Sequence, residues 1–266
     1  MVDEPLHHHY DTAYDEDQRL RQGLGRLELA RVQEIVRRRL APGSRVLDVG
    51  GATGVHAEWL LADGHTVHLV DLLAGHVARA TENLGDHPRF TATVGDARTL
   101  PLADASVDAV LLLGPLYHLT DRADRLAVWR EALRVVVPGG VVVAMVISRF
   151  ASLFDGLAQA YLFDPAFRAI VAQDLATGVH ENPTGDPRWF TTAYFHHPDE
   201  VAVEARDAGL EPVALLGVEG PGWLTGGWSD PLRREGILTA ARAVEAEPSL
   251  LGLSSHLLTT AVRPPG

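Results

Sequence analysis

The rhythm of apolar positions changes along the chain. From Arg19 onward, Leu20, Leu24, Leu27, Val32, Ile35, Val36 and Leu40 recur at helical spacing, which predicts one helix that Ala41-Pro42-Gly43 stops. Short β-branched runs then alternate with helical stretches. Strands are expected at Arg45–Val49, His65–Val70, Arg89–Val94, Val107–Leu113 and Val141–Ile147. Helices are expected between them at Val55–Asp63, Ala74–Leu84 and Arg122–Val136. Runs apolar on both faces belong to a parallel sheet covered by helices, and right-handed crossovers make it doubly wound.

The pattern lapses at Arg149. Residues 149–197 mix helical spacing with aromatics, prolines and glycines. Regular elements return as a helix at Pro198–Gly209, a strand at Pro212–Glu219, a helix near 231–246 and a last strand at Ser255–Val262. The expected fold is therefore α/β. Seven strands form a mostly parallel sheet whose last pair is antiparallel, with N-terminal helices and a helical cap insertion. The segments are an N-terminal helical lid (1–40), a core (41–148), the cap (149–197) and the C-terminal part of the core (198–266).

Composition narrows the chemistry. The 266 residues are 46% hydrophobic and 22% charged, ordinary for a globular chain with a core of its own. Cysteine is absent, which excludes thiol nucleophiles and thiolate metal sites. Every basic residue except histidine is arginine, so Schiff-base chemistry and a Walker-type phosphate loop, which need an ammonium, are excluded. A net charge of -12 would repel a phosphate backbone, so no nucleic acid partner is expected. The one basic cluster, Arg37-Arg38-Arg39, suits a helix end. Val141–Ile147 is too short to span a bilayer, and Met1–Tyr10 lacks an apolar signal core. No membrane association is expected, and the cytoplasm is the expected compartment. His7-His8-His9 cannot aim three imidazoles at one ion in regular structure, so no metal is expected.

The sharpest motif is Asp48-Val49-Gly50-Gly51-Ala52-Thr53-Gly54, between the first strand and the next helix. Glycines there let a ligand approach the backbone at a helix N-terminus. Asp71 ends the second strand, where a carboxylate can take ribose hydroxyls, although a tight turn with a helix cap at Asp71 uses the same residues. Gly95-Asp96 follows the third strand at the sheet's carboxyl edge. A nicotinamide-binding loop would want glycine at 52 and 55, where this chain has alanine and valine. Asp48 would also repel a pyrophosphate, whereas beside a cationic ligand it is an asset.

These residues, with Leu113-Gly114-Pro115-Leu116-Tyr117-His118-Leu119 and Pro138-Gly139-Gly140, resemble the class I S-adenosylmethionine-dependent methyltransferases of the bacterial small-molecule type. The resemblance is strong over about 41–147. It implies a Rossmann-like fold, S-adenosylmethionine as cofactor, and transfer of its methyl group to a small, flat acceptor such as a phenol or indole of specialised metabolism. It implies that the loop, through Asp48, Gly50, Gly51 and Gly54, holds the methionine part of the cofactor. Asp71, with Leu72 beside it, would hold the ribose. Asp96 would take the adenine amino group, with Ala97 and Arg98 adjacent and Leu113 at the end of the fourth strand. Ala52 departs from the pattern, where many members carry glycine. Pro138-Gly139-Gly140 reads as a turn into the fifth strand.

Around that frame, His118 is a candidate general base and Tyr117 a group that shapes the acceptor pocket. Tyr10 and Tyr14 could close the methyl-transfer site, and Arg19 or Arg26 could pair with the methionine carboxylate. The aromatics of 149–197 could cover the methyl end of the cofactor or form a core of their own, and both can hold together. Trp223 and Trp228 border the same space on the first of these readings. A nicotinamide-dependent oxidoreductase and a non-catalytic cofactor-binding protein stay open as alternatives, as does the oligomeric state, a homodimer included.

Overall fold

The computed structural model describes residues 16–265. The expected first helix is two, Glu16–Arg21 and Gly25–Arg37. Gly23 takes φ +49, and a Cβ on Gly25 would stand 2.0 Å from the Arg19 carbonyl oxygen, so the chain turns sharply between them. Leu27, Val32, Ile35 and Val36 are buried on the second helix, as its spacing requires.

The contacts divide the chain into two compact bodies. One holds Ile35–Met145, Ala202–Ala214 and 259–265. Its strands are β1 (Arg45–Val49), β2 (Thr66–Asp71), β3 (Phe90–Val94), β4 (Val107–Leu112) and most of β5 (Val136–Ser148). They lie in the order β3-β2-β1-β4-β5, all parallel. The four inner residues of β1 are buried, whereas β3 at the edge keeps only Phe90 buried and leaves Val94 exposed. That contrast is the mark of a sheet covered on both faces at its centre.

Pro138-Gly139-Gly140 is not a turn before the fifth strand but a bulge within it. The β4–β5 register slips between Val107↔Val136 and Ala109↔Val141. Gly139 takes φ +77, and a Cβ on Gly140 would meet the Asp108 carbonyl at 2.8 Å. Arg263 closes the bulge through two backbone hydrogen bonds, accepting from Gly139 N–H and donating to Gly140 O. β8 (Glu211–Gly217) pairs with β9 (His256–Val262), and β9 with β5. The bonds Val218 N–H to His256 O and Thr259 Oγ1 to Ala214 O run in opposite senses along the two strands, as the expected antiparallel pair requires.

The other body holds 16–34, Val146–Val201 and Leu215–Leu258. Here two strands appear beyond the expected seven. β7 (Ala193–His196) pairs parallel with the end of β5 at Ile147↔Phe195 and Ser148↔His196, and β6 (Val179–His180) pairs antiparallel with β7. Strands of two and four residues are too short to show a period of two. The helices Ala151–Ala158 and Pro165–Thr177 pack closely, since a Cβ on Gly156 would stand 2.4 Å from Phe167. Phe167, Ile170, Val171 and Trp189 form the core between them. Trp223 and Trp228 pack with Leu27 and Ile237, so both tryptophans belong to a core cluster rather than bordering open space.

Candidate functional site

The carboxyl ends of β1 and β2 and the segment after β4 converge in the first body. β1 places Asp48 between Leu69 of β2 and Leu111 of β4, apolar neighbours on both sides. Asp48 is 1% exposed, and neither of its carboxylate oxygens has a hydrogen-bond partner. Burial, and after it the charge of Asp71, push this carboxyl up to about 7. An acid so placed is costly unless something arrives to neutralise it.

The loop leaves β1 through left-handed backbone at Gly50 (φ +70), Ala52 (φ 46) and Gly54 (φ 94), and enters the helix Val55–Ala62. A Cβ at Gly50 would stand 3.0 Å from Pro115, and one at Gly51 would stand 2.7 Å from Asp48 Oδ2 and from Leu69. Gly51 is therefore the roof over the buried carboxylate. At Gly54 a Cβ would meet Leu84 at 2.8 Å. Space for the loop is thus limited first by the protein's own atoms. Ala52 sits in a conformation that costs a non-glycine residue roughly 1–2 kcal/mol, which is why glycine is the natural residue there.

Asp71, also buried, ties this loop to the next one. Its Oδ2 accepts the Ala52 N–H at 2.9 Å, and its Oδ1 accepts the Leu73 N–H at 2.9 Å and lies 3.2 Å from His76 Nδ1. Asp71 is not the cap of the next helix, since the N-cap of Ala74–Leu84 is Leu73 with no side-chain cap, but it holds the turn into that helix through the Leu73 N–H. An ionised carboxylate has about four acceptor positions, so these contacts leave room for roughly one further donor unless His76 withdraws. Leu72 beside it is half-buried. His76 gave no signal in the sequence reading, because it lies inside a helix with no motif around it.

Asp96 is half-buried, and its Oδ1 accepts the Arg98 N–H at 2.8 Å in a tight turn. The Arg98 guanidinium holds it at 2.7 Å through Oδ2, keeping this carboxyl below the usual carboxylate range, and also reaches Asp124 at 3.0 Å. Ala97 is half-buried between them, and Leu113 is buried at the end of β4. The 3-10 turn Pro115–His118 follows. Tyr117 is buried, with its ring centroid 4.6 Å from that of His118, which is half-buried. Arg125, buried with Glu204 as its ion-pair partner at 2.8 Å, donates to the carbonyls of Leu119 and Thr120 at 2.9 Å. It fixes the chain just past His118. Sequence reading missed this pair, since Glu204 is 79 residues away.

The remaining candidates do not join this group. Tyr10 and Tyr14 lie outside the described residues. Arg26 is exposed on its helix in the other body. Arg19, the alternative to Arg26, is engaged by Glu28 through both carboxylate oxygens at 2.5 and 2.9 Å. In the same body Glu28, Glu219 and His256 bring their ligand atoms within 4.8 Å of one another. Glu219 accepts from His256 Nδ1 at 2.6 Å and from Ser254 Oγ at 2.8 Å. Burial works against a charge on His256, yet Glu28 and Glu219 outweigh it and lift the imidazole to about 9. The imidazole thus sits in an ion-pair network with Glu28 and Glu219.

Among the described residues no helix is long and apolar enough to cross a membrane. A methyltransferase-domain family model matches residues 46–140, the span from β1 through the β5 bulge. A demethylmenaquinone methyltransferase from Beutenbergia cavernae is 31% identical over 186 residues, covering 67% of this chain and 70% of that protein. The ubiquinone/menaquinone biosynthesis C-methyltransferase UbiE of Caulobacter vibrioides is 34% identical over 131 residues, which is 45% of this chain and 50% of the relative's own length. A solved SAM-dependent methyltransferase from Methanosarcina mazei shares the fold, with a TM-score of 0.60 at 16% identity over 87% of this chain and 98% of that one. The buried, unpartnered carboxylate under a left-handed glycine loop fits a cofactor that carries an ammonium and no phosphate, and with the relatives it places this chain in the class I S-adenosylmethionine-dependent methyltransferases.

Proposed function

We propose that this enzyme methylates a small aromatic acceptor of the quinone type, bound as its reduced, electron-rich ring. The observation that carries the acceptor class is the match, over two thirds of both chains, to a protein named for demethylmenaquinone. An electrophilic methyl group needs an electron-rich partner, which a hydroxylated ring supplies and an oxidised quinone does not. Bound S-adenosylmethionine supplies that methyl group, and its sulfur keeps the electrons of the bond that breaks.

The chain's own residues position the two reactants. Asp48 faces the cofactor's ammonium, beneath Gly50, Gly51 and Gly54. Asp71 takes a ribose hydroxyl with Leu72 beside it, and Asp96 takes the adenine amino group between Ala97 and Arg98, with Leu113 at the strand end. His118 accepts the acceptor's hydroxyl or ring proton as the new bond to carbon or oxygen forms, and Tyr117 shapes its pocket.

Incubation with S-adenosylmethionine and a panel of naphthoquinols, benzoquinols, simple phenols and indoles tests the acceptor class, with product mass as the readout. A gain of one methyl on a quinol is expected. Methylation of indoles or phenols alone would remove the quinone reading and leave the methyltransferase intact.

A further inference from the structure

The Asp48–Asp71 pair sets a condition on cofactor binding. Asp48 is sealed under Gly51, between Leu69 and Leu111, and both its oxygens lack a partner. Asp71, the charged group nearest on β2, has its charge spread over Ala52, Leu73 and His76. The titratable side chains Tyr117 and His118 lie on the segment after β4, and among the described residues no arginine is hydrogen-bonded to either carboxylate. A carboxyl as dry and unpartnered as that of Asp48 does not ionise readily without a cation beside it.

We propose that Asp48 holds a proton in the free enzyme and surrenders it when the cofactor's ammonium arrives, so that S-adenosylmethionine binding releases a proton. This rests on the assignment of the loop to the methionine part of the cofactor. The carboxyl O–H of Asp48 ionises, its proton passes to solvent, and the carboxylate then pairs with the ammonium; no other bond breaks. Below neutral pH the ligand must displace the proton, so affinity falls as pH falls. The loop thereby favours ligands that bring a cation and discriminates against adenosine compounds that lack an amino-acid tail. That Asp48 is raised to about 7 agrees with this and sets the window.

Calorimetric titration of the full chain in buffers of different ionisation enthalpy counts the released protons. S-adenosylmethionine and S-adenosylhomocysteine both carry the ammonium, so each should release close to one proton at pH 6 and close to none at pH 8.5. Adenosine has the ribose and adenine but no ammonium and should release none, which separates Asp48 from His76. The dissociation constant should weaken about tenfold from pH 8 to pH 6. Asp48→Asn, close in shape, should bind with no proton release and little pH dependence. Tight binding of S-adenosylmethionine to the wild type without proton release at pH 6 would overturn the proposal while sparing the cofactor assignment. Absence of binding in every buffer would overturn both.

Discussion

At the scale of single residues, Asp48 and Asp71 do opposite things with the same side chain. Asp48 is raised from an unfolded value of about 3.9 to about 7, so the folded state binds the extra proton between those limits. Stability of the empty protein should therefore fall as pH rises from about 4 to about 7, the reverse of an ordinary paired aspartate. Asp48→Asn should raise the melting temperature of the empty protein at pH 8 and leave it nearly unchanged at pH 4, as read by calorimetric scans. Asp71, by contrast, accepts two backbone N–H groups and meets His76, so it supports the fold. Asp71→Ala should lower stability by roughly 1–3 kcal/mol in denaturant titrations and weaken cofactor binding besides. An Asp71→Ala protein of full stability would show that those contacts carry little. The sequence showed both aspartates through their place at strand ends. It did not show that one is clamped and the other bare, because the partners come from loops brought together only by the fold.

At the scale of elements, the loop 48–54 is held by its own protein's atoms before any ligand arrives. Gly50→Val should destabilise the fold, since its Cβ would press on Pro115 at 3.0 Å in a left-handed backbone. Ala52→Gly should instead gain up to about 1 kcal/mol by relieving the φ 46 conformation, less the entropy that glycine loses, as measured by denaturant midpoint. The strands β1, β2 and β4 and the helices between them were legible because β-branched runs and apolar periods are strong over five residues or more. The break at Gly23, the bulge at Pro138–Gly140 and the short strands β6 and β7 were not. Each depends on a partner far along the chain: Arg263 for the bulge, and Ile147 and Ser148 for β7. The aromatics of 149–197 were legible as a group, and Phe167 and Trp189 turn out to serve the core of that segment.

At the scale of the whole molecule, charge is stored in buried pairs that composition alone cannot locate. The Arg125–Glu204 pair holds the chain after His118 in one body, and the Arg19–Glu28–His256–Glu219 network lies within the other. His256 is raised from about 6.5 to about 9, so its stabilisation is complete below about 6.5 and is lost as pH rises through 9. Thermal unfolding should show a loss of stability between those limits that His256→Gln abolishes. That window lies above the one set by Asp48, so the two can be told apart in one pH series. The family, the fold and the cofactor were legible because their motifs sit in order at strand ends. The acceptor was not, because the motifs that carry the resemblance concern the cofactor.

The central claim is that the glycine loop and its two aspartates accept S-adenosylmethionine and refuse a nicotinamide dinucleotide. Equilibrium titration of the purified chain with each ligand at pH 8 tests it directly. S-adenosylmethionine should bind to saturation at a single site, and NADH and NADPH should show no binding, because Asp48 would face a pyrophosphate. Saturable NADPH binding with none for S-adenosylmethionine would contradict the assignment of the site and of the reaction.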